Sequence, residues 1–147
     1  MKATLASGVL LSGLLLLSAC QGSVSAPEDA FAGTWRWVAS EGGIAGAQHD
    51  PISTGFTVTL EYDLNGTVRG FRDDELVATT NYTALQRLSI TTNEPEWEVT
   101  YDPPLNHVFG FTSLDEHVVQ TISQGVIRFI EPCCDRYVHV FTGVGAR

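Results

Sequence analysis

The sequence predicts an all-β protein, a small antiparallel up-and-down β-barrel, and three observations predict it. Gly55 to Tyr62, GFTVTLEY, alternates strictly: Phe56, Val58, Leu60 and Tyr62 share one face, and Thr57, Thr59 and Glu61 share the other, as a half-buried strand requires. Segments of similar length recur to the end of the chain, separated by residues that favour turns. After the apolar leader, no stretch sustains a 3.6-residue apolar period over a dozen residues, so long helices are not expected. Many short strands in series argue for a barrel or sandwich, and closure into a barrel removes exposed sheet edges.

The chain opens with MKATLASGVLLSGLLLLSAC, one lysine followed by an apolar run too short for a stable transmembrane helix, which reads as an export signal over residues 1–19. Its end, Leu17-Ser18-Ala19-Cys20, resembles the lipobox of bacterial lipoproteins. That resemblance implies cleavage before Cys20, lipid on its thiol and its new amine, and attachment to the membrane of a bacterial cell envelope. Three acyl chains, each methylene contributing about 0.8 kcal/mol, make detachment negligible. Gln21 stands where an aspartate would favour retention at the inner membrane, so the resemblance points to the outer membrane.

Residues 20–30 then read as a flexible tether, since QGSVSAPEDA is small and polar with one proline and two acids. Loss of residues 1–19 also removes Lys2, the only lysine. Seven arginines then face seventeen acids, a formal charge of −10. Such a surface repels nucleic acid and anionic headgroups, so membrane attachment is expected through lipid alone. Residues 31–147 are enough for one domain with a core and too few for two.

Within that domain, Asp63-Leu64-Asn65-Gly66 predicts a tight hairpin returning through Thr67 to Phe71. A second turn at Arg72 to Glu75 leads into Leu76 to Thr83, where Leu76, Ala78, Thr80 and Tyr82 share a side. Further strands are expected at Arg87 to Thr92, Glu96 to Tyr101, His107 to Thr112, His117 to Ser123, Val126 to Glu131 and Tyr137 to Thr142. The turns between them fall at Asn93 to Pro95, Asp102 to Pro104, Leu114-Asp115, Gln124-Gly125 and Pro132 to Arg136.

Gly33-Thr34-Trp35, near the start of the first strand, resembles the G-x-W element of lipocalins and other calycins. It is followed by the glycine-rich segment Gly42 to Gly46, the Asn65-Gly66 hairpin, and late in the chain Cys133-Cys134-Asp135-Arg136-Tyr137 with His139 and Phe141. That ordered set is similar to small bacterial lipocalin-like lipoproteins. The resemblance implies a barrel plugged at its closed end by Gly33 and Trp35, with a small apolar or amphipathic ligand bound or sequestered in the envelope. Lipocalins usually set a late arginine over the G-x-W tryptophan; Arg128, Arg136 and Arg147 are all candidates for that place, and no local pattern chooses among them.

If Trp35 faces inward, alternation turns Trp37 and Ala39 inward too. Each indole can bury roughly 150–250 Å², enough to make it a core residue first. Trp37 lies one step further toward the open end and is also a candidate for the wall of a ligand cavity. Tyr62 and Tyr82 are candidates as well, because a buried hydroxyl needs a partner and could orient a ligand. An eight-stranded barrel has just enough interior either to be filled by side chains or to hold one small molecule, and the sequence leaves both open.

Cys133 and Cys134 are the remaining cysteines once Cys20 is acylated. Adjacent Cα atoms lie about 3.8 Å apart, below the usual disulfide range, so a vicinal bridge between them is strained and reducible; structural thiols are the other reading. His139 with Cys133, Cys134 and Asp135 offers soft metal ligands, but a strand and a turn intervene, and no metal or other cofactor is expected. G-x-S-x-G, H-E-x-x-H and phosphate-binding glycine loops are missing, so no enzymatic activity is expected. The alternative to ligand binding is a filled barrel acting as an interaction or protease-inhibitor module through loops 42–50, 72–75 and 102–106.

Overall fold

A computed structural model describes residues 30–112, 114–123, 125–132 and 136–145. The fold is all-β: strands β1 (Gly33–Gly42), β2 (Ala47–His49), β3 (Val58–Tyr62), β4 (Thr67–Arg72), β5 (Glu75–Leu88), β6 (Pro95–Leu105), β7 (Leu114–Ser123), β8 (Val126–Ile130) and β9 (Tyr137–Val144), with one short helix, α1 (Pro51–Thr54). Every neighbouring pair from β3 to β9 is antiparallel and consecutive, and β1 pairs with both β3 and β9. Eight strands therefore close into an up-and-down barrel, compatible with a lipocalin-like fold. Cys20, Cys133 and Cys134 lie outside the described residues.

β2 is an extra strand with a definite job. β3 covers only Gly33 to Arg36 of β1, which leaves the second half of that edge unpaired. β2 takes it over, through Ser40 opposite His49 and Gly42 opposite Ala47. The turn between them depends on Gly42, because a Cβ there would stand 2.1 Å from the carbonyl oxygen of Arg136.

Up-and-down connectivity puts the turns at two ends. The base holds the entry into β1, the β3–β4 turn, the turn before β8 and the end of β9. The mouth holds β2, α1, the β4–β5 turn, the segment after β6 and the β8–β9 connection. At the base, Asp63 fixes the expected hairpin by accepting from the backbone N–H groups of Asn65 (2.9 Å) and Thr67 (3.0 Å).

Several expected boundaries move, each for a physical reason. The strand expected at Leu76 to Thr83 runs on as β5 unbroken to Leu88, because Tyr82 to Leu88 pair residue by residue with Tyr101 to Pro95. Of the strand expected at Arg87 to Thr92 only Arg87 and Leu88 belong to β5, Ile90 to Thr92 forming a turn instead. β6 continues through Asp102-Pro103-Pro104, where a turn was expected, to pair Leu105 with Leu114. His107 to Thr112 is no strand: its backbone leaves the sheet, with positive φ at His107 (71°) and Gly110 (78°). The residues expected as a turn, Leu114-Asp115, instead open β7.

The first strand carries a β-bulge. Trp35 lies opposite Leu60 and Trp37 opposite Phe141, but the register slips between Trp37 and Ala39. One extra residue reverses the alternation, so Ser40, rather than Ala39, is buried with Trp37. At the base the seal is Phe31, 1% exposed, whose ring meets Tyr62, Tyr82 and Trp97 at centroid distances of 6.1, 6.5 and 5.7 Å. Trp35 is partly buried and braces that seal, its indole N–H donating to the Phe31 carbonyl at 2.8 Å. None of the three candidate arginines has a described contact with Trp35. Arg128 approaches Glu41 at 3.9 Å, Arg136 stands beside Gly42 at the mouth, and Arg147 is outside the described residues.

Phe31→Ala is expected to lower unfolding free energy by about 3–5 kcal/mol, the usual cost of emptying a buried phenylalanine site. Trp35→Phe, which removes one hydrogen bond and part of a half-buried ring, is expected to cost about 1–2 kcal/mol. Urea unfolding followed by far-ultraviolet circular dichroism checks that order.

Candidate functional site

The three aromatic candidates for a ligand site stand in two layers of the barrel. Tyr62 and Tyr82 belong to the layer above the base, with their rings 5.0 Å apart and edge to face. The Tyr62 hydroxyl meets that of Tyr101 at 2.5 Å, and the Tyr82 hydroxyl donates to the Asp63 carbonyl at 3.1 Å. Burial pushes Tyr62 and Tyr101 well above the ordinary tyrosine range, which keeps both hydroxyls neutral. Trp37 stands one layer higher, separated from Tyr62 by Phe129 and Phe141.

Trp37 begins a buried polar chain. Its indole N–H donates to Ser40 Oγ at 2.8 Å, and Ser40 Oγ lies 2.6 Å from His139 Nδ1. His139 Nε2 lies 3.1 Å from Glu131 Oε1. Glu131 also accepts from the Thr112 hydroxyl at 2.6 Å and from the Tyr137 backbone N–H at 3.0 Å. Burial alone would raise the Glu131 carboxyl, but the donors from His139, Thr112 and Tyr137 outweigh it and hold it down at about 2. An ionised Glu131 draws the imidazole proton to Nε2, leaving Nδ1 to accept from Ser40, so the protons run one way from Trp37 to Glu131.

Serine, histidine and carboxylate in this order are the atoms of a nucleophilic relay. Here Ser40 is 1% exposed and His139 fully buried, and the chain satisfies polar groups inside the barrel. The bulge after Trp37 creates it, because only the reversed alternation turns Ser40 toward His139.

The mouth is stopped by the segment between β6 and β7. Val108 and Phe109 enter the barrel from 106–112 and are buried to 0% and 1% exposure. Val108 seats over Gly70: a Cβ on that glycine would lie 2.7 Å from Val108 Cγ2. Phe109 stacks on the His139 ring, 4.6 Å away and 12° from parallel, and meets Trp37 edge-on at 5.4 Å. An outer layer covers them, with Phe111 stacked on His49 at 4.3 Å and Phe56 stacked on Trp37 at 5.7 Å beneath the Arg72 guanidinium.

Both ends of the barrel are thus closed by residues outside its ladders, Phe31 at the base and Val108 with Phe109 at the mouth. None of the cavities described is lined by Trp37, Tyr62 or Tyr82. The largest of these, about 580 Å³, lies against the β5–β6 turn and the start of the β8–β9 connection, with Arg87, Ile90, Val118, Ile130 and Glu131 on its walls. Among the described residues no three histidine, cysteine or acidic side chains converge as metal ligands; Cys133, Cys134 and Asp135 lie outside them.

Sequence reasoning singled out His139 but missed its partners. Ser40, 99 residues away, reaches it only through the bulge, while Glu131 approaches from across the β8–β9 connection with Thr112 bonded behind it. A signal existed for the plug: VFGF, Val108 to Phe111, is more apolar than a surface loop needs and contains the glycine of a bend.

Comparison with known proteins finds no protein family, no curated protein and no solved structure that matches this chain. The class stands on architecture alone: a closed, eight-stranded antiparallel barrel with one extra strand.

Glu131→Gln removes the anionic acceptor and is expected to cost roughly 1–3 kcal/mol at neutral pH. The folded-state value of about 2 lies below the ordinary 4.5. The stabilisation is therefore complete above about pH 4.5 and disappears as pH falls through about 2. Urea titrations of both proteins between those limits are expected to show the difference closing as acid is added.

Proposed function

We propose that this chain is a bacterial lipoprotein, acylated on Cys20 and held at the outer membrane, whose barrel takes up a small apolar or amphipathic molecule at its mouth and acts by binding rather than catalysis. The anchor rests on the lipobox-like Leu17 to Cys20 after an apolar leader. The binding site rests on one observation: the side chains that stop the mouth, Val108 and Phe109, belong to a segment outside the ladders and not to a barrel strand. Along 107–111 no ladder pairing fixes the backbone among the described residues, so leaving the interior breaks few main-chain bonds. A ligand would exchange one set of apolar contacts for another.

A second reading has its own observation. The interior is filled as it stands, so the protein would also serve as a rigid module that engages a protein partner through its outer surface. Native mass spectrometry of the protein purified from its own envelope separates the two. Ligand binding predicts a bound small molecule at one per chain; an empty protein that co-purifies with another protein favours the module.

Cys20→Ser is expected to move the protein from the membrane fraction to the soluble fraction. Retention in the membrane without the thiol would sink the anchoring part of this reading.

A further inference from the structure

We infer that the molecule the mouth accepts is an uncharged, planar aromatic ring, taking the place of the Phe109 ring. This rests on the binding reading above and specifies its chemistry. The site the plug occupies is already shaped around an aromatic guest. Phe109 lies flat on His139 (4.6 Å, 12°) and meets the rings of Trp37 (5.4 Å, 73°) and Phe141 (6.1 Å, 68°) edge-on. That is one stacked and two edge contacts around a single ring, the arrangements aromatic pairs prefer.

The walls also say what the guest lacks. Trp37 Nε1 is committed to Ser40, Ser40 to His139 Nδ1, and His139 Nε2 to Glu131. The histidine therefore offers a guest its ring face, while its nitrogens are in use. A charged group held where the Phe109 ring lies would lose its water among ring faces, because the nearest described cation at the mouth, Arg72, sits in the outer layer over Phe56. An anion would further meet the ionised carboxylate of Glu131 behind the imidazole. A saturated chain could fill the space but would forgo the stack. An apolar cavity of roughly 150 Å³ is enough for one benzene-sized ring.

Gly70 supplies a sharp test because it touches the plug. A methyl group on that residue would collide with Val108 Cγ2, destabilising the closed state. Only the open state admits a guest, so apparent affinity scales with the fraction of open protein. Gly70→Ala thus removes space from the interior and yet should tighten binding, a result that an ordinary cavity would not produce. Val108→Ala loosens the same contact without overpacking and serves where Gly70→Ala folds poorly.

The experiment is an NMR titration of the purified protein and both variants with indole, benzoate and n-hexanol, following the Trp37 indole N–H and the His139 ring protons. Amide hydrogen exchange across 107–111 is measured with and without each probe. Indole is expected to saturate one site, shift both reporters, speed exchange in 107–111, and bind about tenfold more tightly to the variants. Hexanol or benzoate binding as tightly as indole would overturn the aromatic, uncharged assignment while leaving the binding reading intact. If no probe moves the reporters in any of the folded proteins, the mouth is not a binding site and both conclusions fall.

Discussion

Pairing of β1 with β9 is the constraint on which the rest of the structure depends. Once those strands join, no sheet edge remains along most of the barrel, and an interior is enclosed that inward side chains must fill. Strand residues fill its waist, with Val58, Leu60, Val68, Val99, Val119, Phe129 and Phe141 all buried. They do not reach the ends. Phe31 closes the base and Val108 with Phe109 close the mouth, both contributed by chain outside the ladders. The closure is thus completed by residues whose burial is a tertiary event.

The two ends are closed by different physics. At the base, Phe31 sits two residues before β1, its carbonyl held by the Trp35 indole and its ring inside a layer of tyrosines that hydrogen-bond one another and the turn. At the mouth, the plug is held by side-chain contacts, by the notch at Gly70 and by the hydroxyl of Thr112 on Glu131. That difference in backbone attachment is why the proposed exchange is assigned to the mouth. The polar chain from Trp37 to Glu131 matters here in a second way. It satisfies the buried nitrogens and oxygens beneath the plug, so what lies under Phe109 is a set of ring faces.

A bulge of one residue connects these features. Without the slip between Trp37 and Ala39, strict alternation would place Ala39 inside and Ser40 on the outer surface. Trp37 would lose the acceptor for its indole N–H, and His139 would lose the donor at Nδ1. Both belong to the mouth, so a local irregularity in β1 sets the chemistry of a region formed mainly by β9, the β6–β7 segment and the start of the β8–β9 connection.

The sequence by itself determined the all-β class, the antiparallel order and most of the hairpins, because side-chain alternation and turn chemistry are local properties that a short window contains. It also put Tyr62 on the apolar face of its strand and, given an inward Trp35, Trp37 on the inner face of β1, because alternation is a local property. Only the tertiary structure decided that Tyr62 and Tyr82 lie in a different layer from Trp37, that β6 runs on through two prolines, and that Val108 to Phe111 plugs the barrel instead of forming a strand. Those outcomes depend on which distant residues meet: Gly70 under Val108, His139 beneath Phe109, Ser40 turned inward by the bulge. Such contacts are set by the closure of the whole sheet, and no spacing along the chain encodes them.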